Sequence, residues 1–345
     1  MNIRDRLFKE DRCFVIAEAG VNHNGDLEMA RRLVEAAART GADAVKFQTF
    51  KAERLVSRSA PKARYQKETT GEGGTQFDMV RALELAPEAF RELRDCCLEH
   101  AILFMSTPFD EESADLLAGL SMAVFKIGSG EITNLSFLRH VARKERPIIL
   151  STGMSGLGEV EAAVAAIEGE GNHDLILLHC VSNYPTEPSD VNLRAMGTMA
   201  RAFDVPVGFS DHTKGIEVSL AAVALGARVV EKHFTLDRGM EGPDHRSSLE
   251  PDELSDLVRG VRIVESALGH GRKKPAESEA DTASVARRSL VAARDLEAGS
   301  VLTEDMVLLR RPGTGLPPSM RPYVVGRTLR RSVAAGTVLT MDLLS

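Results

Sequence analysis

From residue 13 onward the chain alternates short apolar segments with segments of helical periodicity, and this alternation strongly limits the folds it can adopt. Eight apolar segments are predicted as β-strands: 14–17, 44–47, 102–105, 123–127, 148–150, 175–178, 205–209 and 229–232. Most of them are followed by a stretch of helical length. Eight successive βα units favour an α/β fold of the (β/α)8, or TIM-barrel, type over an open, doubly wound sheet.

The first and last of the predicted helices carry terminal signals. The first begins after Asp26, a residue type that caps helix N-termini, and ends at Gly41. The last begins at Pro251, with Asp252 and Glu253 in its first turn, where acidic side chains suit the helix dipole. These signals indicate that the repeating unit extends from the first strand to about residue 268.

A change of composition after Leu268 indicates a second domain. Within it, AGSVLT at 298–303 recurs as AGTVLT at 335–340, and an aspartate follows each copy two residues later. This internal repeat predicts a small, pseudo-symmetric, mostly β domain with tight glycine turns. The predicted organisation is a barrel domain at 1–270, a linker at 271–284 and the repeat domain at 285–345.

Composition excludes several classes of function. The net charge of −7 argues against a general nucleic-acid binder, although a few lysines in one cleft can still attract a small anion. The four cysteines show no metal-type spacing, which favours a reducing, cytoplasmic compartment. A charged N-terminus and the absence of a long apolar run predict neither a signal peptide nor a membrane span.

Two histidines follow consecutive predicted strands. His212 lies in GFSDHT at 208–213, and His233 lies in EKHFT at 231–235. The carboxyl ends of parallel strands meet at one rim of a barrel, where sites are built. Neutral imidazoles at that rim can hold a divalent metal, and the alternative is a hydrogen-bonded pair without a ligand.

The other predicted strands also end in polar residues, and these suit a phosphate or carboxylate ligand. The candidates on these ends are Glu18, Lys46, Gln48, Thr107, Lys126, Ser129, Glu131, Ser151, Tyr184 and Ser210. Strand alternation predicts that Lys46 and Gln48 point to the same side. Alternatives remain: either lysine can form a Schiff base, Glu18 can pair with a lysine, and Tyr184 can pack rather than bind. The long connection 50–85 is predicted to be a substrate lid.

Together these motifs resemble the sialic acid (N-acetylneuraminate) synthase family. The resemblance rests on AEAG and NHNG at 17–25, VKFQT at 45–49, STPFD at 106–110, GSGE at 128–131, STGM at 151–154, YPT at 184–186, the two histidine motifs and GPDH at 242–245. In addition, RRPG at 310–313 resembles the signature of that family's antifreeze-like (SAF) domain. The motifs occur in order over nearly the whole chain.

The resemblance implies a transferase that condenses phosphoenolpyruvate with an N-acylated amino sugar and releases phosphate. It implies that His212 and His233 hold Mn²⁺, with Mg²⁺ or Co²⁺ as alternatives, and that the metal polarises the sugar aldehyde. The implied phosphoenolpyruvate-binding residues are Lys46, Thr107, Lys126, Ser129, Ser151 and Ser210, and the implied sugar-contacting residues are Gln48, Tyr184 and Asp244. Glu131 is implied to handle water or a proton, and Glu18 to lie beside the metal and the sugar. Arg311 is implied to reach the partner's sugar in a domain-swapped homodimer.

N-acetylneuraminate, made from N-acetylmannosamine, is the product expected from these motifs. The departures at 181–183 and at Glu187 leave a 6-deoxy-2,4-diacetamido sugar open, which would make the chain a legionaminate or pseudaminate synthase. A lysine Schiff-base aldolase is a second enzyme hypothesis. A carbohydrate- or ice-binding module on an inert barrel is a hypothesis of a different class.

Overall fold

Eight parallel strands form one sheet in the N-terminal unit, which covers residues 1–269. The structure is a computed structural model that describes residues 3–10, 12–71 and 73–345. Strands β1–β8 are Phe14–Gly20, Ala44–Thr49, Leu103–Pro108, Phe125–Ile127, Ile148–Ser151, Leu175–Cys180, Val207–Asp211 and Val229–His233. Their order is β3-β2-β1-β8-β7-β6-β5-β4, and β3 lies beside β4, so the sheet closes into the predicted (β/α)8 barrel.

Helices connect and surround these strands. Helices α1–α13 are Ile3–Phe8, Leu27–Thr40, Ala52–Leu55, Arg64–Thr70, Gln76–Ala82, Pro87–Glu99, Glu111–Gly119, Leu135–Ala142, Leu157–Glu168, Pro188–Val191, Arg194–Phe203, Glu217–Ala224 and Pro251–Leu268. The 3₁₀ turns Ser129–Glu131 and His245–Ser247 follow β4 and β8. In the described part of the chain, every helix is too short or too polar to cross a lipid bilayer.

The predicted terminal signals of α2 and α13 are confirmed. Asp26 Oδ1 accepts hydrogen bonds from the backbone N–H groups of Glu28 and Met29, and Gly41 ends α2 with a φ of 79°. Helix α13 begins at Pro251, as predicted. Its neighbours α2 and α12 pack beside it on the outside of the barrel.

Two apolar layers lie on the two faces of the sheet. The outer layer packs strand residues such as Val15, Phe47 and Phe209 against the surrounding helices. The inner layer fills the barrel and includes Leu7 of α1. Because successive strand residues point to opposite faces, one period-two pattern supplies both layers.

The connection 50–85, predicted as a lid, folds into the three short helices α3, α4 and α5. Its apolar residues pack with Val21, which follows β1, in a cluster that we call the lid cluster: Val21, Phe50, Ala52, Phe77, Val80 and Leu83. Position 72, within the glycine-rich part of this prediction, lies outside the described residues. Whether this segment moves as a lid stays a prediction.

The C-terminal unit covers residues 270–345 and contains the antiparallel strands β9 (Ser289–Ala292) and β10 (Val307–Arg310). Its helices are α14 (Ala280–Ala286) and α15 (Arg321–Val324). The two copies of the repeat adopt the same local structure, since Gly299 and Gly336 have φ values of 86° and 85°. Their equivalent residues Leu296 and Val333 pair with each other, as pseudo-two-fold symmetry requires.

The segment 271–284, predicted as a linker, contains regular secondary structure. It contains a 3₁₀ turn, Glu277–Glu279, and most of α14, and it groups with the C-terminal unit. Alanines and glutamates, which are good helix formers, account for this helical structure, although the segment buries almost nothing.

Candidate active site

The inward-facing residues of the barrel change from apolar to polar along the strands. Toward the amino ends they are Phe14, Ile16, Ala44, Met105, Val124, Ile149, Ile176, Leu178 and Val229. The same period-two pattern continues toward the carboxyl ends with Glu18, Lys46, Gln48, Thr107, Lys126, Ser151, Cys180, Ser210, Glu231 and His233. A packed apolar plug therefore closes the barrel below a polar cavity.

This cavity has a volume of about 510 Å³ at the carboxyl ends of the strands. It is lined by nearly all the residues that the sequence nominated: Glu18, Lys46, Gln48, Thr107, Lys126, Ser129, Ser151, Tyr184, Ser210, His212, His233 and Asp244. As alternation predicts, Lys46 and Gln48 both line the cavity, whereas Phe47 packs in the outer layer. The volume suits two small substrates or one larger product.

Two buried lysines and two buried carboxylates form a charged cluster on the cavity floor. Lys46 Nζ lies 2.5 Å from Glu18 Oε2 and 3.7 Å from Glu231 Oε2, and Lys126 Nζ lies 3.5 Å from Glu231 Oε1. Burial opposes ionisation of Glu231, but Lys126 and Lys46 outweigh it and lower its pKa to about 2. Burial raises the pKa of Glu18 to about 7 against the attraction of Lys46. Glu231 is therefore the firmly ionised member of the cluster.

The pKa values of the two lysines are shifted in opposite directions. Burial lowers the pKa of Lys46, but Glu18 and Glu231 more than offset this, so its pKa is raised. Lys46 is thus held as an ammonium, which is a poor nucleophile for a Schiff base. Burial lowers the pKa of Lys126, and Glu231 only partly offsets that effect.

Hydroxyl groups surround the lysines. Lys46 Nζ donates to Thr107 Oγ1 at 3.0 Å, and Lys126 Nζ donates to Ser151 Oγ at 2.7 Å. Ser210 Oγ donates to Glu231 Oε1 at 3.0 Å. Ammonium and hydroxyl donors converging on one small volume form an arrangement that binds a phosphate or a carboxylate.

His212 and His233 lie side by side, with ring centroids 5.4 Å apart, and Tyr184 packs against both rings. His212 Nδ1 is 2.8 Å from the carbonyl oxygen of Val181, which leaves its Nε2 for a ligand. His233 Nδ1 is buried without a hydrogen-bond partner, since Asp244 Oδ2 is 3.9 Å away. Burial lowers the pKa of His233 well below its usual value, so this ring is neutral.

This donor set fits a divalent metal held by two imidazoles with its remaining positions open. Within residues 3–10, 12–71 and 73–345, no three histidine, cysteine or acidic side chains converge closely enough to hold a metal by themselves. The two histidines would therefore need substrate or water oxygens to complete a coordination shell. The metal itself stays a proposal.

A buried ion pair links the two strands next to the histidines. Lys232 Nζ lies 2.9 Å from Asp211 Oδ2, and both side chains are fully buried. Asp211 also accepts hydrogen bonds from Thr213 N and from Ser219 Oγ. Since Asp211 precedes His212 and Lys232 precedes His233, the pair joins the ends of β7 and β8.

Replacing Asp211 with alanine is expected to lower the free energy of unfolding by about 3–5 kcal/mol, because it leaves the Lys232 ammonium buried and unpaired. Urea unfolding followed by circular dichroism measures this change. The matched control is Asp256→Ala, which removes the exposed Arg259–Asp256 pair and should cost less than about 1 kcal/mol. Equal stability losses for the two variants would contradict the role assigned to the buried pair.

Glu131 and Arg311 are the two remaining residues with predicted catalytic roles. Glu131 lies half-buried in the turn after β4, outside the cavity lining of the described chain, and its Oε2 accepts a hydrogen bond from Asn134 Nδ2 at 2.8 Å. That turn directs Glu131 toward the N-cap of α8. Arg311 belongs to the C-terminal unit, where it is exposed after β10. The roles predicted for both residues stay predictions.

Sequence reasoning missed three features of the cavity lining. The first is Glu231, which alternation from His233 places on the same inward face. Cys180, whose Sγ is 3.9 Å from His212 Nδ1, gave no signal beyond its position at a strand end. The apolar residues of α5 could not be assigned because the connection 50–85 was not predicted to be helical.

Comparison with known families agrees with this architecture. Residues 33–273 match the NeuB family, and residues 287–345 match the SAF domain. The N,N'-diacetyllegionaminic acid synthase of Legionella pneumophila is 49% identical over 96% of this chain and 94% of that protein. The pseudaminic acid synthase of Campylobacter jejuni is 34% identical over 96% of each chain.

A solved structure gives the same result for the fold. The crystal structure of the N-acetylneuraminic acid (sialic acid) synthetase of Leptospira borgpetersenii, in complex with citrate, superposes with a TM-score of 0.70 and 37% identity. The match covers 79% of this chain and 90% of that chain. These matches place the chain in the NeuB family, with a SAF domain at its C-terminus.

Proposed function

We propose that the protein condenses phosphoenolpyruvate with a 2,4-diacetamido-2,4,6-trideoxyhexose, forms N,N'-diacetyllegionaminic acid and releases phosphate. The observation that carries the proposal is the charged cluster at the cavity floor, where Lys46 and Lys126 each donate a hydrogen bond to a hydroxyl group. Phosphoenolpyruvate carries a carboxylate and a phosphate on one small carbon frame, so its charges match these donors.

The similarity to characterised relatives supports the acceptor. Identity is 49% to a diacetyllegionaminic acid synthase, but 37% to an N-acetylneuraminic acid synthetase and 34% to a pseudaminic acid synthase. N-acetylneuraminate, the product expected from the sequence motifs, is therefore supported less well than the legionaminate alternative. The motifs are shared by the whole family, which is why they do not select the acceptor.

The proposed reaction forms one carbon–carbon bond. C3 of phosphoenolpyruvate attacks the aldehyde carbon of the open-chain sugar, whose oxygen takes up a proton, and water adds to C2. The resulting tetrahedral C2 loses phosphate to leave the 2-keto acid. A divalent metal held by His212 and His233 would supply Lewis-acid polarisation of the aldehyde. Lys46 and Lys126 would hold the two anionic groups so that C3 faces the aldehyde.

Several cavity residues would orient the acceptor. Gln48 Nε2 donates to Glu18 Oε1 at 3.1 Å, so the amide and the carboxyl group form one polar edge beside Lys46. Burial raises the pKa of Asp244 to about 6, and this side chain lines the cavity beside His233. Glu18 and Asp244 can therefore each hold or release a proton near neutral pH.

An acceptor panel tests the proposed function. The metal-loaded enzyme is given phosphoenolpyruvate with 2,4-diacetamido-2,4,6-trideoxymannose, its altrose epimer or N-acetylmannosamine, and the sugar acid is identified by mass. The trideoxymannose is expected to give the highest kcat/KM. A higher value for N-acetylmannosamine or for the altrose epimer would overturn the proposed product.

We also propose that Arg311 acts in the active site of a partner subunit. Its exposure next to a strand end leaves the guanidinium free to bind an acyl carbonyl group. Arg311→Ala is expected to raise the acceptor KM or to lower kcat by roughly 10- to 100-fold, with little change in the KM for phosphoenolpyruvate. Steady-state kinetics with each substrate varied in turn measures this difference.

Mixing two impaired variants tests the exchange between subunits. In a swapped dimer of His212→Ala and Arg311→Ala chains, one barrel is intact and receives an intact arginine. Random reassociation should therefore restore about a quarter of wild-type activity, since half the dimers are mixed and each has one competent site. No restoration after proven subunit exchange would show that Arg311 does not act across subunits.

A further inference from the structure

One face of helix α5 lines the cavity. Gln76, Met79, Val80 and the C-cap residue Leu83 all line it, and their spacing of i, i+3, i+4 and i+7 is that of a single helical stripe. After Gln76 this stripe is apolar. We call Met79, Val80 and Leu83 the α5 wall.

The α5 wall is supported by the barrel. Val80 and Leu83 belong to the lid cluster, in which Phe50 follows β2 and Val21 follows β1. Phe50 packs edge-on against Phe109, which follows β3, with ring centroids 6.2 Å apart. Strand ends of the barrel thus set the position of this wall.

A close backbone contact also positions the C-terminal end of α5. A Cβ atom at Gly25 would lie 2.5 Å from the carbonyl oxygen of Ala82, and Gly25 has a φ of 77°. Only glycine accommodates both this approach and this backbone conformation without strain. The NHNG turn at 22–25 therefore helps to shape the cavity, because it fixes the position of the C-terminal end of α5.

The cavity consequently has two chemically different parts. Lys46, Lys126 and their hydroxyl partners form the anion-binding floor. The α5 wall presents thioether and aliphatic groups. These groups cannot replace the hydrogen bonds to water that a sugar hydroxyl loses when it is buried. An acceptor with methyl groups on one edge suits this wall better than a fully hydroxylated one.

We infer that the α5 wall binds the methyl-bearing edge of the acceptor sugar and makes Val80 and Leu83 specificity-determining residues. The edge in question carries the C6 methyl group and the methyl of the 4-acetamido group. This inference rests on the proposed function, because it assumes that the acceptor enters the same cavity. Residues of α5, rather than residues of the barrel strands, would then determine whether a 6-deoxy or a 6-hydroxy acceptor binds.

Near-isosteric polar substitutions test the inference. Val80→Thr and Leu83→Asn keep the approximate side-chain volume and add hydrogen-bonding groups to the wall. Each is expected to lower the kcat/KM ratio of 2,4-diacetamido-2,4,6-trideoxymannose over N-acetylmannosamine by roughly 10-fold, since apolar pockets discriminate single groups by about that factor. The KM for phosphoenolpyruvate should stay within about twofold because the anion-binding floor is unchanged.

Val56→Thr is the matched control. Val56 packs against the lid cluster but does not line the described cavity, so the same chemical change there alters the lid without altering the wall. This control should keep the wild-type acceptor ratio. Titration calorimetry of both sugars into the metal-loaded full-length protein, with phosphoenolpyruvate absent, provides a readout that does not need turnover.

The outcomes separate the two claims. Weaker binding of the trideoxy sugar by Val80→Thr and Leu83→Asn, but not by Val56→Thr, supports the wall even if the wild type makes its product from another 6-deoxy sugar. Unchanged acceptor ratios and unchanged binding in both wall variants would overturn the inference while leaving the proposed function intact. Tighter wild-type binding of the 6-hydroxy sugar would also overturn it.

Discussion

Replacing Lys126 with methionine is expected to raise the KM for phosphoenolpyruvate by roughly 10²- to 10³-fold, because a buried charge contact to an anion is lost. Lys126 Nζ is buried, donates to Ser151 Oγ at 2.7 Å and lies 3.5 Å from Glu231 Oε1. Methionine keeps the apolar stem and removes the ammonium group. The loss leaves Glu231 with Lys46 as its only nearby cation in the described site, so the local charge becomes more negative.

Steady-state kinetics with phosphoenolpyruvate varied at saturating acceptor measures this effect. Lys144→Met is the matched control, because Lys144 pairs with Asp115 on the outside of the barrel. The control should keep the wild-type KM, and circular dichroism should show that both variants are folded. A folded Lys126→Met enzyme with a normal KM for phosphoenolpyruvate would remove Lys126 from the anion site.

His212→Ala is expected to lower kcat by roughly 10³-fold or more, because the loss of one electrostatic catalytic group typically lowers kcat by about that factor. The change removes one of the two imidazoles that fit a metal, and the remaining ring of His233 offers a single nitrogen. We expect elemental analysis of the dialysed protein to show less bound Mn²⁺ than in the wild type. EDTA should likewise abolish wild-type turnover, and added Mn²⁺ should restore it.

His140→Ala is the control for this substitution. His140 Nε2 contacts Asp115 Oδ1 at 2.8 Å on an outer helix, so its loss removes an imidazole without changing the cavity. Its metal content and its kcat should equal those of the wild type. Wild-type metal content in a folded His212→Ala protein would contradict the two-histidine site.

The barrel could be predicted because its strands are marked by local sequence. Each of the eight predicted segments overlaps an observed strand. The predicted carboxyl ends are two or three residues too early for five strands, β1, β2, β3, β6 and β7, whose observed ends are Gly20, Thr49, Pro108, Cys180 and Asp211. The prediction stopped where apolar residues gave way to polar ones, whereas backbone pairing continues because the polar side chains are buried in a shared cavity.

The residues of the candidate site could be predicted from their positions at strand ends, but the arrangement of their charges could not. Position along a strand predicts that Lys46 and Lys126 reach one rim. It does not predict that Glu231 lies between them, since that depends on distances across the barrel. The direction of the Glu131 side chain could not be predicted because it depends on the conformation of the turn after β4. The α5 wall could not be predicted because it depends on how the 36-residue connection 50–85 folds, and the sequence predicted that connection only as a lid.

Two of the hypotheses from the sequence lose support for physical reasons. The Schiff-base hypothesis loses support at Lys46, because a Schiff base requires a neutral amine and Glu18 and Glu231 instead raise the pKa of this lysine. The same reason does not apply to Lys126, whose pKa burial lowers. An inert barrel beneath a binding module would not need a cavity floor of buried, opposing charges, which are costly to desolvate. Membership of the NeuB family agrees with a catalytic barrel.

The most direct test of the proposed condensation measures phosphate release and sugar acid formation in the same reaction. Phosphoenolpyruvate, 2,4-diacetamido-2,4,6-trideoxymannose, Mn²⁺ and the full-length protein are mixed, and ³¹P NMR is recorded while mass spectrometry counts the sugar acid. The account predicts one phosphate released for each sugar acid formed, no release without the acceptor, and no product when pyruvate replaces phosphoenolpyruvate. Formation of the sugar acid from pyruvate, or phosphate release without an acceptor, would contradict it.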